Sequence, residues 1–179
     1  MENQRVRLSK KMLQDALLDL LQEKPLSKIS VLEICETAQI NRTTFYKYYG
    51  SQLDLLNDIE SDFLSQMDER VSLVLSESPN AVVAVLESLY DQRHVFRTLV
   101  KAVPGQEFAS HFFALPSINA IFQALATANG FLEEQEKYVR EFICQGTFAV
   151  IRDWLTSEEP EPASKVADVL KLFKDKLAV

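Results

Sequence analysis

The chain has 179 residues, 47% of them hydrophobic, four glycines and a formal net charge of −7. Few glycines, with abundant Ala, Leu, Glu, Gln, Lys and Arg, exclude a loop-rich or sandwich fold and point to an all-α protein with ample core. No run approaches the roughly 18 apolar residues of a membrane span, and the opening MENQRVRLSKK lacks the apolar segment of a secretory signal, so a cytoplasmic protein with no membrane partner is expected.

The charge is unevenly spread. Residues 1–50 carry eight Lys/Arg against six Asp/Glu, a balance of +2, and residues 51–179 carry eleven against twenty, a balance of −9. The division into domains is drawn at the same place, 1–50 and 51–179. Local potential at a contact face matters more than the total, so the acidic sum does not exclude an acidic partner for the first segment, where Arg5, Arg7, Lys10 and Lys11 cluster in one arm.

The first predicted helix runs from about Ser9 to Glu23. Met12, Ala16 and Leu20 form one apolar stripe and Leu13, Leu17 and Leu21 the next, and Lys24-Pro25 ends it. The segment from Ser30 to Leu56, SVLEICETAQINRTTFYKYYGSQLDLL, is the most specific stretch of the chain. Ser30 and Glu33 have capping-box spacing, with Ile29 and Ile34 at the staple positions. Thr37 to Ile40 turns the chain. Asn41 caps a second helix, with Ile40 and Phe45 as a second staple. Short helix, tight turn, short helix is helix-turn-helix spacing. On the second helix Phe45, Tyr48 and Tyr49 share one face, while Arg42, Thr43, Tyr46 and Lys47 fall opposite and offer groups that reach base edges or phosphates. Gly50 is placed to end the helix with a positive φ, and Ser51 with Asp54 repeats the capping box.

The ordered residues Ile40-Asn41-Arg42-Thr43-Thr44-Phe45-Tyr46-Lys47-Tyr48-Tyr49, followed by Gly50-Ser51 and Asp54-Leu55-Leu56, closely resemble the DNA-binding domain of the TetR/AcrR family of bacterial transcription regulators, over roughly Leu8 to Leu56. The resemblance implies a homodimer. It implies a three-helix DNA-binding head and a larger C-terminal helical domain that binds a small ligand and dimerises. Arg42, Thr43, Tyr46 and Lys47 are then expected in the major groove beside the capping Asn41. Ser30, Thr44 and Tyr48 are candidate phosphate contacts. Two departures stand out. Gln39 occupies the turn position where the family usually has Gly, which makes a left-handed turn more costly. Gln52 stands where the family usually has Lys, which removes one phosphate contact.

A fourth helix from Ser51 to about Ser76 is a natural lever between head and body. Ser78-Pro79-Asn80 breaks the pattern, and Asn80 caps a helix to about Asp91. Gln92 to Ala102 and Gln106 to Phe113 are short helical segments. Pro116 opens a helix stopped near Asn129-Gly130. Glu133 to Thr156 is rich in large apolar residues, and Gly146 at its middle suggests a close helix crossing. Ser157 to Pro162 reads as a solvated acidic loop, and Ala163 to Leu177 as a last amphipathic helix.

Phe96, Val100, Phe108, Phe112, Phe113, Phe122, Tyr138 and Phe142 form an aromatic-rich set, readable as plain core or as a pocket. The resemblance adds a pocket for an apolar or aromatic ligand, with His94, Gln106, His111 and Gln145 as its polar contacts. The last two helices must bury an apolar stripe against their own domain or a second copy. Gln145-Gly146-Thr147-Phe148 and Arg152-Asp153-Trp154-Leu155 resemble the penultimate helix of some family members. That favours a dimer built on Phe148, Arg152, Leu155, Val166, Leu170 and Phe173. Cys35 and Cys144 lack metal spacing and read as buried free thiols, with a redox pair as the alternative. Neither a phosphate-binding loop nor a nucleophile elbow is present, so no cofactor, metal or enzymatic activity is expected. The reading is a ligand-responsive regulator, most often a repressor in that family, that binds a palindromic operator in double-stranded DNA. The alternatives are a protein-binding co-regulator of the same fold and a small enzyme with an apolar cavity.

Overall fold

The structure is a computed structural model that describes residues 4–77, 81–129 and 133–177. Phe122 and Phe173 as side chains, and the break and stop expected at Ser78, Pro79, Asn80 and Gly130, lie outside the described residues. Those residues form ten α-helices: α1 (Gln4–Glu23), α2 (Val31–Thr37), α3 (Arg42–Tyr48), α4 (Gln52–Glu77), α5 (Ala81–Asp91), α6 (Arg93–Ala102), α7 (Gly105–Phe113), α8 (Pro116–Asn129), α9 (Glu133–Thr156) and α10 (Ala163–Leu177). A single 3-10 turn, Leu26–Lys28, follows Pro25. No strand occurs among the described residues.

Helix α1 begins at Gln4 rather than Ser9. Ser9 does not cap it; its hydroxyl donates back to the Arg5 carbonyl at 3.0 Å, as a serine inside a helix commonly does. Leu13, Leu17 and Leu21 are buried as the periodicity predicts, whereas Met12 is exposed.

The chain divides into two compact units, Met1–Phe63 and Leu64–Val179. The first unit extends past residue 50 because the opening turns of α4 belong to its core: Leu55, Leu56, Ile59 and Phe63 are buried, and Gln14 of α1 donates to Asp58 at 3.1 Å and to Asp62 at 2.7 Å. Burying each such leucine or phenylalanine contributes about 1.5–3 kcal/mol, enough to hold helices as short as α2 and α3, which would be marginal alone.

The second unit is centred on phenylalanines. Phe96 of α6 and Phe108 of α7 meet edge-to-face at 5.7 Å. Phe148 of α9 lies 6.4, 6.1 and 6.5 Å from Phe96, Phe108 and Phe113. Tyr90 stacks on Trp154 at 5.9 Å, and Trp154 donates its indole N–H to the Glu161 carbonyl at 2.7 Å. The carbonyls left open at the end of α9 are taken by Arg97, which donates to Leu155 and Ser157. Asp68 of α4 caps α8, accepting from the Ser117 amide at 2.9 Å and its hydroxyl at 2.6 Å, beside Pro116 in the first turn where a missing N–H costs nothing.

Candidate nucleic-acid interface

The site begins at a cap. Ser30 is extended (φ −95°, ψ 154°) and its hydroxyl accepts from the Glu33 amide at 3.2 Å. The Glu33 carboxylate, expected to turn back to the Ser30 N–H, is engaged chiefly by the Lys24 ammonium at the end of α1. Its pKa is lowered first by that hydrogen bond, and by the Ser30 N–H as a lesser cause. The box therefore also joins α2 to α1.

Helix α2 ends in a pair of backbone bonds, Ile40 N–H to the Cys35 carbonyl at 2.9 Å and Gln39 N–H to Glu36 at 3.2 Å, which is the Schellman arrangement. It needs a left-handed residue, and Gln39 supplies it at φ 54°, alone among the described non-glycine residues. The turn keeps its geometry without glycine.

Asn41 (φ −67°, ψ 140°) caps α3, its side-chain oxygen accepting from the Thr43 amide at 2.9 Å. Phe45 is fully buried and Tyr49 nearly so, their rings 5.6 Å apart. The face opposite Phe45 is open: Asn41, Arg42, Thr43, Tyr46 and Lys47 are exposed, and Thr44 and Tyr48 are half-buried at its margins. The Arg42 guanidinium lies 5.9 Å from the Tyr46 ring centre. Its pKa is pushed further up, first by a hydrogen bond with Tyr46. Lys47 lies 5.9 Å over Tyr48. Helix α3 contains no carboxylate. It presents two cations, hydroxyl groups and a phenol on one face of a short rod, a set suited to phosphates and base edges. Ser30 is exposed at the start of α2, and its hydroxyl already accepts from a backbone amide.

Gly50 does not act as expected. Tyr49 ends α3 in extended conformation (φ −135°, ψ 136°), and Gly50 is not in the left-handed region. A side chain here would press on the movable Asp54 carboxylate. Asp54 accepts from the Gly50 amide at 2.9 Å, and a Cβ at Gly50 would lie 2.9 Å from the same oxygen. Ser51 meanwhile accepts from the Asp54 amide at 3.2 Å, so the capping box at α4 closes on Gly50 instead of Ser51.

Within the second unit the predicted ligand set does not assemble as one lining. Phe96, Phe108 and Phe112 are buried in the interlocked core and Val100 is half-buried. Tyr138 and Phe142 point outward, 74% and 67% exposed. Gln145 donates to Glu141 at 3.0 Å on its own helix, and His94, Gln106 and His111 are exposed. The residues expected at a dimer interface are spread over different environments. Phe148 is buried among the phenylalanines of α6 and α7, and Leu155 on α9 and Val166 on α10 are buried as well. Leu170 is half-buried, and Arg152 is exposed and paired with neighbouring Asp153 at 2.9 Å. Among the described residues, the large apolar side chains that α9 and α10 leave exposed are Tyr138, Phe142, Val169 and Leu172. Gly146 lies exposed on α9, and a Cβ there would meet nothing within 4 Å, so the close crossing it suggested is not made by the described residues. Sequence periodicity flagged these helices as apolar without distinguishing inner from outer face.

Residues 13–59 match the family described as bacterial regulatory proteins, tetR family, and residues 76–175 match the one described as transcriptional regulator C-terminal region. Over 63 residues the chain is 38% identical to the dhaKLM operon transcriptional activator DhaS of Lactococcus lactis strain IL1403, a match that spans 35% of this chain and 34% of that protein. Among solved structures, a TetR transcriptional regulator from Streptococcus agalactiae aligns with a TM-score of 0.71 at 19% identity, covering 97% of this chain and 95% of its own. The dihydroxyacetone kinase operon activator DhaS aligns at 0.60 with 18% identity, covering 95% and 96%. A Thermus thermophilus TetR-family repressor, FadR, solved with lauroyl-CoA, aligns at 0.56 with 16% identity, covering 92% of each chain.

Proposed function

Since the chain belongs to the TetR family of transcriptional regulators, whose members are non-enzymatic DNA-binding proteins that dimerise, we propose that it reads a palindromic operator as a homodimer through α3 and that a small apolar ligand controls this binding. The observation that carries the reading is the exposed cationic face of α3, set opposite the buried Phe45. Arg42 and Tyr46 meet base edges, Thr43 and Lys47 meet bases or phosphates, and Ser30, Thr44 and Tyr48 meet the backbone, with Arg5, Arg7, Lys10 and Lys11 adding attraction independent of sequence.

The dimer is carried by α9 and α10. Their exposed Tyr138, Phe142, Val169 and Leu172 would be covered by a second copy, and open Gly146 leaves room for the partner's helix to approach closely, giving a four-helix bundle. A two-fold pair supplies the base pairs that a seven-residue helix alone reads too few of.

For the ligand, the support is the phenylalanine core of the second unit and the family's precedent, with FadR as one fold neighbour solved with lauroyl-CoA. Gln92 at the α5–α6 junction carries a buried side-chain nitrogen with no hydrogen-bond partner among the described residues, a donor that a ligand oxygen would satisfy. The single tryptophan, Trp154, stacked on Tyr90, reports ligand entry by fluorescence.

Repression by occupying a promoter is the output we favour. Activation is a second reading, favoured by the likeness to DhaS, an activator. A mobility-shift titration over genomic fragments tests the core of the proposal. A sequence-dependent shift that Arg42→Ala with Lys47→Ala abolishes, while the dimer stays folded, supports it. No fragment shifting ahead of random DNA contradicts it and favours a protein-binding co-regulator. A reporter behind the selected promoter, with and without the regulator, gives the sign.

A further inference from the structure

The short helix α3 is held at its two ends by different means. Its N-terminal end is joined to α2 through the turn at Gln39. Its C-terminal end carries Tyr49, whose hydroxyl donates to Asp58 of α4 at 2.6 Å. The same Asp58 oxygen accepts from Gln14 of α1 at 3.1 Å, and Gln14 reaches on to Asp62 at 2.7 Å. Three helices of the first unit thus converge on one carboxylate.

Resting on the regulator reading above, we propose that Tyr49, Asp58 and Gln14 form a positioning clasp that sets the angle at which α3 is presented to the major groove. Apolar packing of Phe45 and Tyr49 holds the rod in place but is non-directional. A phenol-to-carboxylate bond of this length is charge-assisted and directional, and it acts on the end of the rod beyond Lys47. The groups that read sequence project from the other side of the same rod, so a small rotation displaces their tips. Hydrogen bonds to base edges weaken steeply with distance and angle. Attraction to phosphates falls off gradually over about 8–10 Å. Loosening the clasp therefore costs sequence-specific binding and spares general attraction to DNA.

The clasp is tested with Tyr49→Phe, which keeps the ring and removes only the hydroxyl, and with Asp58→Asn, whose carboxamide oxygen still accepts from the phenol. Three quantities are read on each: affinity for the selected operator against random DNA at one salt concentration, melting temperature, and amide hydrogen exchange across Arg42–Tyr48. Tyr49→Phe is expected to weaken operator binding about tenfold with random-DNA affinity unchanged, and to quicken exchange in α3 while exchange in α6 and α7 stays as it was. Asp58→Asn is expected to retain operator affinity to within about threefold, as loss of charge with retention of the bond requires. Equal weakening on both DNAs, or operator affinity and α3 exchange both unchanged in Tyr49→Phe, overturns the clasp. A wild-type protein that selects no operator refutes the regulator reading. Hydrogen exchange, which needs no DNA, then still decides the clasp: quickened exchange in α3 upholds it, and unaltered exchange overturns it.

Discussion

Gln39 holds φ 54° in the turn before the reading helix, a conformation that costs a residue with a side chain about 1–2 kcal/mol. Gln39→Gly removes that cost and pays back part of it through the greater freedom of the unfolded chain, so it is expected to raise stability by about 0.5–1 kcal/mol in thermal or urea unfolding. A lower melting temperature in that variant would show that the glutamine side chain contributes something the turn geometry does not reveal. Much at this scale was legible in the sequence. Ser30, Asn41 and Ser51 cap as predicted because a cap is local, decided within three residues. The exposure of Arg42, Tyr46 and Lys47 follows from helical spacing once Phe45 is taken as the inward residue. The Tyr49–Asp58–Gln14 contacts were not legible. They join residues 9 and 44 positions apart, and nothing in local spacing marks which carboxylate a buried phenol will find. The thiols show the same limit. Burial raises the pKa of Cys35 and lifts that of Cys144 to about 11, which fits buried free thiols, but burial itself is a tertiary fact.

At the scale of elements, α9 carries both a buried and an exposed set of aromatic side chains. Phe148 sits among Phe96, Phe108 and Phe113, so Phe148→Ala should cost about 3–5 kcal/mol of unfolding free energy. Phe142 is exposed, so Phe142→Ala should leave helix content unchanged and weaken the dimer at least about tenfold in sedimentation equilibrium, as loss of a central aromatic anchor does. The reverse pattern would return the interface to the Phe148 side. The sequence could not assign these faces because a helix with apolar residues on more than one side has no single inward stripe. What decides is which side the phenylalanines of α6 and α7 occupy. Helix starts and ends were read well where Pro or a cap punctuates the chain, as at Pro25 and Pro116. The start of α1 was missed because Gln4 to Leu8 carries no cap and no break.

At the scale of the whole molecule, a net charge of −7 coexists with DNA binding because the first 50 residues carry a balance of +2 and the acidic excess lies after them. Gln52, in the first turn of α4, stands where the sequence resemblance implies a lysine. Gln52→Lys should restore one phosphate contact, tighten binding to random DNA and steepen the plot of log affinity against log salt by about 0.9. An unchanged slope would place Gln52 away from the backbone. Among the described residues no helix is long and apolar enough to cross a membrane, and none of their His, Cys, Asp and Glu residues cluster to hold a metal.

Guanine N7 methylation protection on the selected operator reads whether two copies of α3 enter the major groove together, because N7 faces that groove. Two protected half-sites related by two-fold symmetry are expected, their centres about one helical turn or a multiple of it apart, with loss of both in the Arg42→Ala, Lys47→Ala dimer. A single protected patch, or protection that survives in the double variant, would contradict paired entry.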